Sequence, residues 1–137
     1  MSSLSSLTKA NLLVVSLLVL HTVDHAVAQE SHQLPGSSSL VGAAGFAITA
    51  ASSWLAIQRS SIAPEVSTVV GFLTVAGVVG VHILPTWWPW VSDPYWDFSA
   101  TFVNWLSLIA LVGSAVYLTA VGLRYQRFRH VKPYYRH

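Results

Sequence analysis

The chain has 137 residues, of which 53% are hydrophobic and only 9% charged, against about 25% charged in a typical soluble domain. So little charge cannot cover a water-facing surface, and five of the seven Lys and Arg lie after residue 123. The net charge of +2 therefore belongs to one tail and excludes a nucleic-acid-binding face.

The absence of Cys removes disulfides, thiolate metal sites and cysteine nucleophiles. No phosphate loop, G-x-S-x-G or H-E-x-x-H motif is present. The class that remains is an all-α integral membrane protein forming one domain.

Met1 to Lys9 is polar and Ser-rich. Residues 10–28 then read as a first span, just long enough for a hydrocarbon core of about 30 Å. The same stretch mimics a secretory signal, with Lys9, an apolar core and an A-x-A site at Ala26-Val27-Ala28. Retention as a span is the better reading: the eight residues from His21 to Ala28 make a long, charged region before any cut, and only one side-chain cation precedes the core.

Gln29 to Ser37 is a polar connection holding Glu30, His32 and the turn signal Pro35-Gly36. The second span, residues 38–57, is rich in small residues. Ala43, Ala47 and Ala51 recur every four residues, the pattern that lets membrane helices approach closely. Trp54 near its end suits a headgroup anchor.

A short turn with Arg59 follows. Pro64 and Glu65 then open a third span, residues 66–84, with Pro in the first turn and an acid beside the helix N-terminus. Ser67, Gly71 and Thr74 give that span a small, weakly polar stripe. His82 interrupts its far end, and Pro85 stops it.

Residues 85–97 contain three Pro and the four indoles Trp87, Trp88, Trp90 and Trp96. They cannot form a regular helix and suit the membrane interface. Ser99 is placed to cap a fourth span, residues 100–123, carrying Asn104, a residue that more often ties helices together than binds a ligand. Residues 124–137 form a basic aromatic tail suited to anionic lipids or to fixing topology.

Lys9, Arg59 and the tail fall on one side of these four spans. The connections on the other side hold no Lys or Arg, only Glu30, Asp93 and Asp97. The positive-inside rule therefore predicts a multi-pass protein of the cell membrane with both termini cytoplasmic.

His21-Thr22-Val23-Asp24-His25 stands out because it puts three titratable groups inside a span. There they cost several kcal/mol unless paired, and so mark a functional site by default. His21 and His25 are one helical turn apart, with Asp24 beside them. From span midpoints 19 and 75, His25 and His82 lie about 9 and about 10 Å outward, and His21 about 3 Å.

His25 and His82 are thus expected at matched depth. His21 and Asp24 would join them if spans one and three adjoin, with Asp24 either ligating or orienting a ring. Glu30, His32, Asp93 and Asp97 would crowd the mouth. Imidazoles with a carboxylate and no sulfur suit copper or zinc. The expected function is metal binding in an accessory role rather than independent catalysis.

Three alternatives stand beside it. The first is a b-type haem held by two His. The second is a structural subunit of a homo-oligomer or larger membrane complex, in which His21 and Asp24 only satisfy each other. The third is a proton or substrate path, which four short spans with uncharged inner halves support less well.

Overall fold

The computed structural model describes residues 5–28, 37–87, 91–92, 94–96 and 100–131, with residues 25–28, 37–40 and 129–131 described through their backbone alone. Four helices follow in order: α1 Ser6–Ala28, α2 Ser37–Ile57, α3 Ala63–His82 and α4 Phe102–Val131. No strand occurs among the described residues.

Three of the helices are long and apolar enough to cross a membrane, over Ser6–Asp24, Ala63–His82 and Phe102–Phe128. Helix α2 spans 21 residues, of which the side chains described form the apolar run Val41–Ile57. Side chains such as Leu13, Phe72 and Ile109 stand exposed around the outside, while the interior is built from Ala10, Val14, Ala56, Ala63, Leu111, Ala115 and Leu118. The interior thus mixes alanines with a few large side chains, while many large apolar residues face outward, a distribution that suits lipid.

The boundaries follow local chemistry. Ser5 caps α1, its Oγ accepting from the backbone N–H of Thr8 at 3.1 Å. The first helix thus begins four residues before the expected start of its span. Pro64 and Glu65 sit in the first turn of α3, as their types require.

Ser99 lies outside the described residues, and the start of α4 is fixed instead by Thr101. Its Oγ1 accepts from the Asn104 N–H at 3.3 Å, while Asn104 Oδ1 accepts from the Thr101 N–H at 2.7 Å. This reciprocal box holds the first turn. The helix also runs on past residue 123 to Val131, because nothing between Arg124 and Val131 breaks a helix. Pro133 is the first residue that does.

Successive helices are neighbours: α1 packs on α2, α2 on α3, α3 on α4 and α4 on α1. Helices α1 and α3 face each other across the diagonal and barely touch, and among the described residues α2 makes no contact with α4.

The tightest seam lies between α3 and α4. A Cβ on Gly71 would come within 2.7 Å of the Ala115 carbonyl, and one on Gly122 within 2.9 Å of the Pro64 carbonyl. Gln126 Nε2 donates across the same seam to Thr68 Oγ1 at 2.8 Å and to the Pro64 carbonyl at 3.2 Å. The alanine stripe of α2 does not mediate packing within the chain, since Ala43, Ala47 and Ala51 are all exposed. Alanine still carries a Cβ, so the closest approach falls where glycine has none.

At the end of the bundle near Ser5, Asn11 joins three helices. Its Nδ2 donates to Ser67 Oγ at 2.8 Å and to the Leu7 carbonyl at 3.0 Å, and its Oδ1 accepts from Ser52 Oγ at 2.6 Å. Beside it, Thr8 Oγ1 donates to the Ala56 carbonyl at 3.0 Å. Asn11→Ala is expected to cost about 1–2 kcal/mol, two interhelical bonds at membrane strength, read from an unfolding titration in mixed micelles. Asn11→Ser, which keeps one polar partner, should recover part of that loss.

Helix α2 ends with the Arg59 N–H donating to the Ala56 carbonyl at 3.2 Å and the Ser60 N–H to the Leu55 carbonyl at 2.9 Å. This double closure demands a left-handed residue at its turn and ordinarily selects glycine. Arg59 occupies it with φ 54°. A side chain held there costs about 1–2 kcal/mol.

Candidate functional site

The opposite end of the bundle holds the polar residues that the sequence singles out. His21 and His82 are both buried, at 5% and 7% exposure. Although α1 and α3 are diagonal, the two rings meet, Nε2 to Nε2, at 3.4 Å. They lie nearly perpendicular, with centroids 5.2 Å apart.

His21 and His82, two of the three imidazoles expected to converge, thus do meet. Helix α1 runs from Ser6 to Ala28, so its midpoint lies near residue 17, not 19, and His21 sits about 6 Å outward of it.

Asp24 does not face the imidazole pair. Its Oδ2 accepts from Asn104 Nδ2 at 2.8 Å and from Ser107 Oγ at 3.1 Å. Ser107 Oγ also lies 3.2 Å from His21 Nδ1 and 2.9 Å from the Asn104 carbonyl. A serine has one hydrogen to give. With that hydrogen directed to Asp24 or to the carbonyl, Ser107 accepts from His21 Nδ1–H. The network then assigns the Nδ1–H form to His21 and turns the lone pair of its Nε2 toward His82.

Asn104 serves two purposes here. Its oxygen closes the cap of α4, and the cap in turn aims its amide at Asp24. The tie between α1 and α4 is therefore built into the first turn of α4.

The segment after α3 folds back over the pair. The Tyr95 N–H donates to the His82 carbonyl at 3.0 Å, and Tyr95 is only 2% exposed. Its ring lies 4.8 Å from that of His82 and 5.4 Å from Trp105. Trp87 Nε1 donates to the Gly80 carbonyl at 2.6 Å. Trp87 and Trp96 are otherwise exposed, as an interfacial role asks, while Trp88 and Trp90 lie outside the described residues.

The side chain of His25 is likewise outside them, as are Glu30, His32, Asp93 and Asp97. Among the described residues, no group of three or more His, Cys, Asp or Glu comes together as a metal would require. What the described residues bring together is two imidazoles, with a carboxyl acting on one of them through a serine. No buried side-chain nitrogen or oxygen among them lacks a hydrogen-bond partner.

Sequence reasoning does not reach Ser107 or Tyr95. Ser107 carries a readable signal, since it follows Asn104 by three residues on one face of an apolar helix. Tyr95 has none beyond Pro94 before it. No family model, curated protein or solved structure matches the chain.

Proposed function

We propose that the protein is a four-span membrane protein with both termini cytoplasmic, and that His21 and His82 hold a transition-metal ion, copper or zinc, in the outer half of the bundle. The observation that carries this reading is the separation of the two Nε2 atoms, 3.4 Å. It is longer than a good hydrogen bond, about 2.7–3.2 Å. It matches the spacing of two ligand nitrogens around a tetrahedral ion, about 3.3–3.4 Å for metal–nitrogen bonds of about 2.0–2.1 Å.

A bond from His21 Nδ1 to a fixed acceptor is how ligating imidazoles are oriented. Ser107 and Asp24 supply that acceptor here. His25, one turn outward on α1, is the natural third ligand. A haem fits less well, because a macrocycle has to pass between the rings where Ser107 and Tyr95 already lie beside them.

Purified protein is expected to carry about one copper or zinc per chain by elemental analysis, with His82→Ala and His21→Ala reduced to background. Wild-type protein without metal after supplementation with either ion would sink the reading.

The complete pairing of buried polar atoms supports a second one: a ligand-free bracket in a structural subunit of a larger membrane complex. In that case the complex persists in mild detergent whether or not the two imidazoles are present.

A further inference from the structure

At the end of the bundle opposite the imidazole pair, a half-open cleft of about 410 Å³ lies between the start of α1, the α2–α3 turn and Tyr125 of α4. Its floor is apolar, formed by Leu7, Ala56, Ala63 and Pro64, and its rim carries Arg59 with the hydroxyl groups of Ser5 and Ser60. Lys9, Arg124 and Arg127 belong to the same end of the bundle. The Ser5 hydroxyl is engaged in capping α1, which leaves an apolar floor under a guanidinium and the Ser60 hydroxyl, the chemistry that suits a phosphate ester carrying an acyl chain.

Arg59 adds a second, independent observation. It occupies a left-handed position, φ 54°, where glycine would close the helix without strain. Its exposed side chain lines the cleft and not the core. A residue kept against its backbone preference points to work done by its side chain.

We infer that this cleft binds the headgroup of an anionic phospholipid, with Arg59 on the phosphate and the acyl chain lying over Ala56 and Pro64. The inference shares with the metal reading only the placement of the bundle in a bilayer. It involves none of the residues proposed as ligands, so either can fail alone.

The test is native mass spectrometry of the full chain, released from micelles doped with equal phosphatidylglycerol and phosphatidylcholine. Wild type is expected to retain phosphatidylglycerol preferentially. Arg59→Gln should lower that preference about fivefold, the worth of one basic side chain at a lipid surface. Arg59→Gly should lower it equally while raising the thermal midpoint in zwitterionic detergent, because the left-handed turn is relieved.

Four results would overturn the inference. One is equal retention of the two lipids by wild type. Another is a preference that survives both Arg59 substitutions yet vanishes in Arg124→Gln with Arg127→Gln. The third is a lowered midpoint in Arg59→Gly, showing that Arg59 supports the bundle itself. The last is displacement of the lipid by millimolar inorganic phosphate, which would assign the cleft to a free anion.

Discussion

Replacing Gly122 with leucine is expected to destabilise the bundle by about 3 kcal/mol or more, the upper range for overfilling a packed interior. Even a methyl group there would press on the backbone of α3, on the Pro64 carbonyl at 2.9 Å and the Thr68 nitrogen at 3.0 Å. A side chain could swing aside, but two backbone groups cannot. The whole of α4 has to move, and the Gln126 bonds to Thr68 and Pro64 are lost with it.

Gly71→Leu meets the same obstacle at the Ala115 carbonyl and the Thr119 nitrogen. The double substitution should cost less than the sum, since α4 is displaced only once. Gly113→Ala is the control. Nothing lies within 4 Å of a Cβ at that position, so it should gain up to about 1 kcal/mol from the better helix former. Unfolding curves in dodecyl sulfate titrations rank the four variants. A Gly122→Leu curve overlying wild type would mean that the seam is not closed as described.

If His21 and His82 hold a metal as proposed, Asp24→Ala is expected to weaken its binding about 10–100-fold, the usual effect of removing the group that orients a ligating imidazole, without reducing the number of ions bound at saturation. Asp24 reaches His21 through Ser107, so Ser107→Ala should fall in the same range. The two changes combined should be little worse than either alone, because both interrupt one chain of bonds. Competition against a chelator measures all three. Full loss of capacity in Asp24→Ala would make the carboxyl a ligand, and unchanged affinity would free it from any positioning role.

The existence of the helices is legible in the sequence because an apolar run of membrane length can satisfy its backbone in lipid only by coiling. The start at Pro64 and the polar stretch after Ile57 are legible too, each marked by a residue type that opens or stops a helix, while α3 closes at His82, two residues short of the end that Pro85 suggests. Depth is not. It depends on how α1 sits against α3 and α4, a packing of distant residues that brings His21 to His82 and that no local signal near residue 21 states.

Close approach is hidden for a related reason. A stripe of three alanines is conspicuous in sequence, and Gly71 reads as part of a small stripe, but which glycines matter, Gly71 and Gly122 and not Gly77 or Gly113, shows only once they are placed opposite Thr119 and Thr68. Asp24 stands out as unusual, yet its bonds to Asn104 and Ser107 cross 80 and 83 residues, a separation that spacing rules for a single helix cannot reach.

That long separation has a consequence for how the protein is made. A chain emerges N-terminus first, so in the proposed membrane protein α1 enters the bilayer with His21 and Asp24 long before Asn104 and Ser107 have been translated. During that interval α1 carries polar groups in hydrocarbon at a cost of several kcal/mol. The arrival of α4, the most apolar of the three helices found long and apolar enough to cross a membrane at a mean hydropathy of 2.1, offsets that cost by bringing in the partners. The helix that completes the site is therefore also the one whose insertion is most strongly drawn forward. A chain halted before it is marked as unfinished by the polar face of its own first span.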